Sequence, residues 1–373
     1  MFTPDHCVML IHGMDTDFYY ETTIAFGNLE EYAKMRMRVY MLSALIIVSA
    51  LSAMGSEAEG PYKLQLPLGL QEEAAFIPPD NPLTAAKIDL GKQLYFDKRL
   101  SADGTVSCAS CHAPDKGFSD GRPTSTGIKG QVGGRNAPVT INRLFSQEQF
   151  WDGRSPSLED QALGPIQNSI EMGHTLEGME AAVDKLSGYR AQFKKVFGTK
   201  VTKEGVGQAI ASFERSLLCG NSAFDRFEAG DKKALSASAQ RALTLFRGKA
   251  NCVTCHTGFN FTDESYHNIG VGMDKPKPDL GRYTITKKES DRGAFRTPTL
   301  RNIAASAPYL HDGTAKTLEE VIEFYDQGGT PNPNLSKEIR PLHLTAQEKE
   351  DLLEFMKSLS CPDLHVAAPV LPQ

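Results

Sequence analysis

The sequence predicts a mainly α-helical protein made of two similar helical domains related by internal duplication. Three observations carry this expectation. Apolar residues recur at helical spacing in segments of both halves, a motif of two cysteines and a histidine occurs twice, and paired segments downstream of each motif keep the same internal spacing. A chain of 373 residues is long enough for two domains. With 40% apolar and 23% charged residues, it is neither a disordered chain nor a multi-span membrane protein. The 32 glycines and 21 prolines imply long stretches of loop. A net charge of −6 without a Lys/Arg cluster excludes a nucleic-acid partner.

The long apolar run, residues 39–53, follows Met35-Arg36-Met37-Arg38 and precedes the small residues Gly55 and Ser56. Residues 35–55 therefore read as a secretory signal peptide. The run is shorter than a spanning helix needs, with an uncleaved anchor as the alternative. Residues 1–34 read as an over-extended start, with Met35 the initiator. Once the signal is removed no membrane span is expected, and the location is the periplasm. The rest divides into residues 56–220, residues 221–361 and a tail, 362–373.

Each domain begins with a helix. One is expected over 83–99 and one over 236–247, where Leu243, Leu245 and Phe246 supply the apolar face. Each helix leads into a C-x-x-C-H motif, Cys108-Ala109-Ser110-Cys111-His112 and Cys252-Val253-Thr254-Cys255-His256. This is the signature of covalent haem c: two thiols bond the porphyrin vinyl groups, and the adjacent histidine reaches the iron. A zinc site is the alternative, but zinc-binding cysteine pairs lie about 15 to 20 residues apart and leave the two histidines without a role. Two cytochrome c-like domains with one haem each follow. Cys219 and Cys361, the other cysteines beyond the signal, either pair or stay free.

The repeat continues past the motifs. Arg135-Asn136-Ala137-Pro138 with Asn142 echoes Arg296-Thr297-Pro298 with Asn302. Phe150-Trp151-Asp152-Gly153 echoes Leu310-His311-Asp312-Gly313, with a seven-residue step from Trp151 to Leu158 and from His311 to Leu318. Helical stretches over 176–197 and 203–218 link the halves, and short strands are expected near 283–286.

Thr317-Leu318-Glu319-Glu320 reads as a capping box that opens a helix at Leu318. Leu318, Val321, Ile322 and Tyr325 then share one face. Tyr325 is either a core tyrosine with a backbone partner or, as phenolate, the sixth ligand of the second iron opposite His256. Met273, Met356 and His267 are rival ligands. The equivalent helix of the first half opens at Leu158 after Ser157 and presents Gln161, Ala162 and Pro165. Proline cannot ligate iron, so if Pro165 stands where Tyr325 does, the first haem keeps an open face. Glu171 would there move a proton between the peroxide oxygens and Gln161 would steady them. The plainer readings are a solvated loop carboxylate for Glu171 and a core residue for Trp151.

Together these motifs, with Pro308-Tyr309-Leu310-His311-Asp312-Gly313, resemble the bacterial di-haem cytochrome c peroxidase family over nearly the whole chain after the signal. The resemblance implies a peroxidatic first haem, an electron-transferring second haem, and a calcium ion between them held by Asn136 and the backbone oxygens of Ser306 and Pro308. It also implies Trp151 between the haems and His311 among the residues contacting cofactor. Two departures stand out. Ile128 occupies the position of the family's distal histidine, and Tyr325 that of its methionine ligand. Both resemble the methylamine-utilisation (MauG) branch, whose tyrosine-ligated second haem helps store two oxidising equivalents. The expected activity is reduction of hydrogen peroxide, with electrons entering at the second haem from a small cytochrome c or cupredoxin. A maturation oxidase acting on side chains of a partner protein is the alternative, and a plain electron carrier is the non-enzymatic one.

Overall fold

The computed structural model describes residues 62–373 and Met37. The remainder of the predicted signal and residues 1–34 lie outside the described residues. Met1–Glu59 and Gly60–Gln373 are separate units, and everything below concerns the second. It is mainly helical, as the sequence predicts, with eleven α-helices and one two-stranded ribbon among the described residues. No helix among the described residues is long and apolar enough to cross a membrane.

The helix before the first motif, α1 (Ala85–Phe96), starts where Thr84 accepts the N–H of Lys87. It leads to α2 (Cys108–Cys111), then α3 (Leu158–Gln167), α4 (Leu176–Asp184), α5 (Ser187–Phe197) and α6 (Lys203–Arg215). Helix α1 crosses α6, and α3 packs on α6 as well. A core of Leu90, Leu94, Tyr95, Ile210 and Phe213 fills the junction. The crossing is close because position 91 has no side chain. A Cβ on Gly91 would lie 1.8 Å from the carbonyl oxygen of Ala209.

After α7 (Ala223–Glu228), the second half uses the same device. Helix α8 (Ala237–Arg247) precedes the second motif and packs on α11 (Ala346–Lys357), while α10 (Leu318–Asp326) also packs on α11. Phe246 and Phe355, 5.2 Å apart between ring centroids, sit at the centre of this second core.

Segments that match in sequence also match in backbone. Asn142 and Asn302 are left-handed, with φ of 55° and 56°, as are Phe150 and Leu310, both at 69°. The N–H of Asn142 donates to Leu217 O and that of Asn302 to Leu359 O. The amide oxygens of Asn142 and Asn302 accept the N–H of Cys219 and Cys361, respectively. These two cysteines, left open by the sequence, form a disulfide with Cα atoms 5.3 Å apart. Beyond it, Leu364 and Val366 pack on the first core and Arg99 donates to Pro372 O.

Three expectations need correction. Residues Tyr283–Thr286 form a short helix, α9, rather than a strand; the ribbon pairs β1 (Tyr266–His267) with β2 (Phe295–Arg296). Residues 283–286 turn helical because Arg282 and Gly281 supply carbonyls that cap the turn. The stretch 176–197 is two helices, broken at Leu186, which is extended. At α10, Thr317 accepts the N–H of Glu320, but the Glu320 carboxylate accepts from Lys316 instead of Thr317, so only half of the capping box forms.

Replacing Gly91 with Ala should cost on the order of 3 kcal/mol, because backbone must move to admit the methyl. Thermal unfolding reads this as a clear fall in midpoint. An unchanged midpoint would mean that α1 and α6 are not in backbone contact there.

Candidate active site

Two cavities flank a common wall. The first is lined by Cys111, His112, Gln161, Pro165 and Glu171, the second by Cys252, Cys255, His256, His311 and Tyr325. Asn136, Pro138, Arg143, Trp151 and Arg296 line both. The wall is joined by backbone. Trp151 Nε1 donates to Asn136 O at 2.8 Å, and the N–H of Asn136 donates to His311 O at 2.8 Å. His311 is stacked on Phe295, with centroids 3.6 Å apart.

The two imidazoles are neutral because burial lowers their pKa values. His256 Nδ1 lies 3.0 Å from Phe261 O, which places its proton there and leaves Nε2 as a lone-pair donor. His112 Nδ1 is buried without a hydrogen-bond partner, and Tyr95 fixes the same residue by donating to its carbonyl. Burial also pushes the four thiols up, that of Cys252 to about 12 and that of Cys255 to about 11. Zinc requires thiolates that converge. Here the two cysteine pairs do not meet: among the described residues only Cys255, Asp263 and His267 approach as a possible metal set. Two separate cavities, one with Cys111 beside neutral His112 and the other with Cys252 and Cys255 beside neutral His256, suit two haems and not one zinc.

The matched helices α3 and α10 line matched cavities. Leu158, Gln161 and Pro165 face the first, and Leu318, Val321 and Tyr325 the second. The Tyr325 hydroxyl makes no hydrogen bond to a described residue, and burial first, then the nearby Cys252 and Cys255, pushes its pKa up. Of the rival ligands, His267 lines this cavity with Nε2 2.8 Å from Asp263 Oδ2, and Met356 lines it from α11. Met273 instead lies beside Gly293.

In the first cavity Glu171 is half-buried and accepts from Asn168 Nδ2 at 2.7 Å. Burial raises its pKa against the opposing charge of Arg154. The Gln161 amide has no hydrogen bond to a described side chain or carbonyl. Ile128 is buried in the first core, and its N–H holds the Glu171 carbonyl at 2.8 Å. Asn136, Ser306 and Pro308 meet at the second cavity, where Asn136 Nδ2 donates to Arg122 O and leaves Oδ1 unclaimed.

Sequence reasoning passed over Arg143 and Glu214, which are buried and line the first cavity. Glu214 left a trace: it stands beside Arg215 within the apolar run of α6.

The profile of the family described as di-haem cytochrome c peroxidase matches residues 85–233. The methylamine utilization protein MauG of Methylophilus methylotrophus is 38% identical over 301 residues, covering 79% of this chain and 89% of its own. The cytochrome c551 peroxidase of Nitrosomonas europaea is 40% identical over 294 residues, covering 78% and 85%. Among solved structures, a MauG-like protein associated with microbial copper homeostasis superposes with a TM-score of 0.75 at 33% identity, over 81% of this chain and 97% of that one.

Proposed function

The chain belongs to the di-haem cytochrome c peroxidase family, and from that premise we propose that it is a periplasmic, MauG-like member that reduces hydrogen peroxide in the first cavity with electrons entering through the second. It is an oxidoreductase of the cytochrome c peroxidase type with two haems. The observation that carries the finer reading is the difference between two otherwise matched helices: Pro165 on the first cavity, Tyr325 on the second.

Cys108 and Cys111 would attach the first haem with His112 as its ligand, and Cys252, Cys255 and His256 the second. When bound, the haem irons supply the electrons that split the peroxide O–O bond and exchange them with the donor. The chain governs protons and access. Pro165 offers no donor atom and Ile128 is buried in the core, so peroxide has a free approach beside Gln161 and Glu171. Gln161 has an unused amide with which to hold a peroxide oxygen. The Glu171 carboxylate accepts the proton of the near oxygen and returns it to the leaving one, while Asn168 fixes one of its oxygens. Tyr325 has no protein partner and closes the second cavity with its phenol oxygen. Trp151, on the wall of both cavities, joins them. Calcium would take Asn136 Oδ1 and the carbonyls of Ser306 and Pro308, with waters completing about six oxygens. A small cytochrome c or cupredoxin would supply electrons.

Tyr325 also favours a second reading, a maturation oxidase that withdraws electrons from a partner protein's side chains, because a phenolate stabilises oxidised iron. Rapid turnover with reduced cytochrome supports peroxide reduction; slow turnover with a specific protein substrate supports maturation.

Glu171→Gln keeps the shape and removes the proton carrier, so stopped-flow reaction with peroxide should slow by about 10² to 10⁴. In the wild type the rate should fall on the acid side, with a midpoint above the ordinary carboxylate range, because burial raises this pKa and protonation removes the base. The variant should lack that limb. A wild-type rate in Glu171→Gln would leave Glu171 a structural carboxylate held by Asn168, with no part in proton transfer.

Tyr325→Phe removes one oxygen and leaves Leu318, Val321 and Ile322 packed. The ferric spectrum of the second haem should change spin state or ligand set, its potential should rise, and the first haem should still bind peroxide. Tyr325→Met should give a more easily reduced second haem. A wild-type spectrum for Tyr325→Phe in both oxidation states would turn attention to Met356 and His267.

A further inference from the structure

Arg143 is a buried guanidinium, 7% exposed, that lines both cavities. Its Nε donates to Gln149 Oε1 at 2.8 Å and its Nη2 to Glu148 O at 3.0 Å. Both acceptors are neutral. Nη1 donates to no described residue, and no carboxylate lies within ion-pair distance of the side chain. Its neighbour on the same wall, Arg296, is 4% exposed but is paired with Glu264 at 3.2 Å. One of the two buried cations in the wall therefore has a carboxylate in contact, while the other feels Glu264 and Glu214 only at a distance.

A buried charge with no counter-ion in contact is costly, so such a cation favours an anion from outside the chain at its free edge. Both cavities it borders are the ones fitted to haem, and each haem carries two propionate carboxylates. We propose that Arg143 is a propionate anchor: its free Nη1 edge takes a haem propionate at the wall between the two cavities. The inference rests on the haem-binding reading above.

Glu214 is the obvious competitor, since it faces the first cavity and acts on Arg143 through its charge. It forms no ion pair with Arg143, and burial lifts its pKa to about 8, so at neutral pH it is largely protonated. Burial and the charge of Arg296 act on Arg143 in the opposite direction, lowering its pKa to about 9 with only partial opposition from Glu264 and Glu214, and an anion at Nη1 would reverse this. A propionate there leaves Arg143 charged and compensated beside a neutral Glu214. A guanidinium suits the role: two donors hold the 146–149 turn and a third edge stays free for a carboxylate.

The test uses the holoenzyme. Haem content by pyridine haemochrome comes first, and fewer than two haems per wild-type chain would defeat the haem reading itself. In Arg143→Met, with both haems present, the propionate-bending bands of the resonance Raman spectrum should shift. At least one haem potential should move negative, because a cation that favours the ferrous state has gone. Unchanged bands and potentials in this variant would overturn the proposal and leave Arg143 as a clamp on the turn alone. Should Arg143→Met fail to load haem, Arg143→Lys decides. It keeps the charge but loses the fork, so the potentials should stay near wild type while the propionate bands shift. Unshifted bands in Arg143→Lys would equally overturn it.

Discussion

The hydrogen bonds of Asn136 hold the two halves of the site in register. Its N–H meets the carbonyl of His311, its carbonyl meets the indole of Trp151, and its side-chain amide meets the carbonyl of Arg122. One residue thereby ties the loop after the first motif, the Trp151 turn of the first half and the His311 turn of the second. These are short backbone and indole bonds in a half-apolar wall, where an unmade bond is costly. The wall they form bounds both cavities. Arg135 reinforces it from outside, bridging Asp152 and Asp279 at 2.6 and 2.7 Å.

On this wall hangs a repeated backbone with unrepeated side chains. The left-handed asparagines, the turns at Phe150 and Leu310, and the helices α3 and α10 are alike in conformation, so each places the same helical positions against its own cavity. Chemistry diverges at very few of them. Proline lines one cavity where, at its counterpart, the other has a tyrosine whose hydroxyl has no hydrogen-bond partner among the described residues. Glutamine opposite valine, and a half-buried glutamate tethered through the Ile128 N–H, make the first cavity the polar one.

Much of this was legible in the sequence because it rests on local rules. The C-x-x-C-H spacing, the helix caps Ser157 and Thr317, and the 3.6-residue face of α10 are set by neighbours along the chain, and the structure forms them nearly where expected. What the sequence hid depends on contacts between distant segments. The pairing of Cys219 with Cys361 requires both to stand beside the repeated asparagines. The ribbon at Tyr266 and Phe295 is a pairing across the chain, with no alternation long enough to signal it. Arg143 reads as an ordinary loop arginine until the fold buries it against two cavities. The predicted signal segment, apart from Met37, falls outside the described residues.

The account claims that two similar domains hold two unlike irons, the first open and the second closed by Tyr325. Electron paramagnetic resonance of the fully ferric, two-haem protein tests this most directly. It should show one high-spin species that peroxide or a small anion perturbs, and one separate species that neither touches. Two equivalent low-spin signals, both indifferent to added ligand, would contradict it.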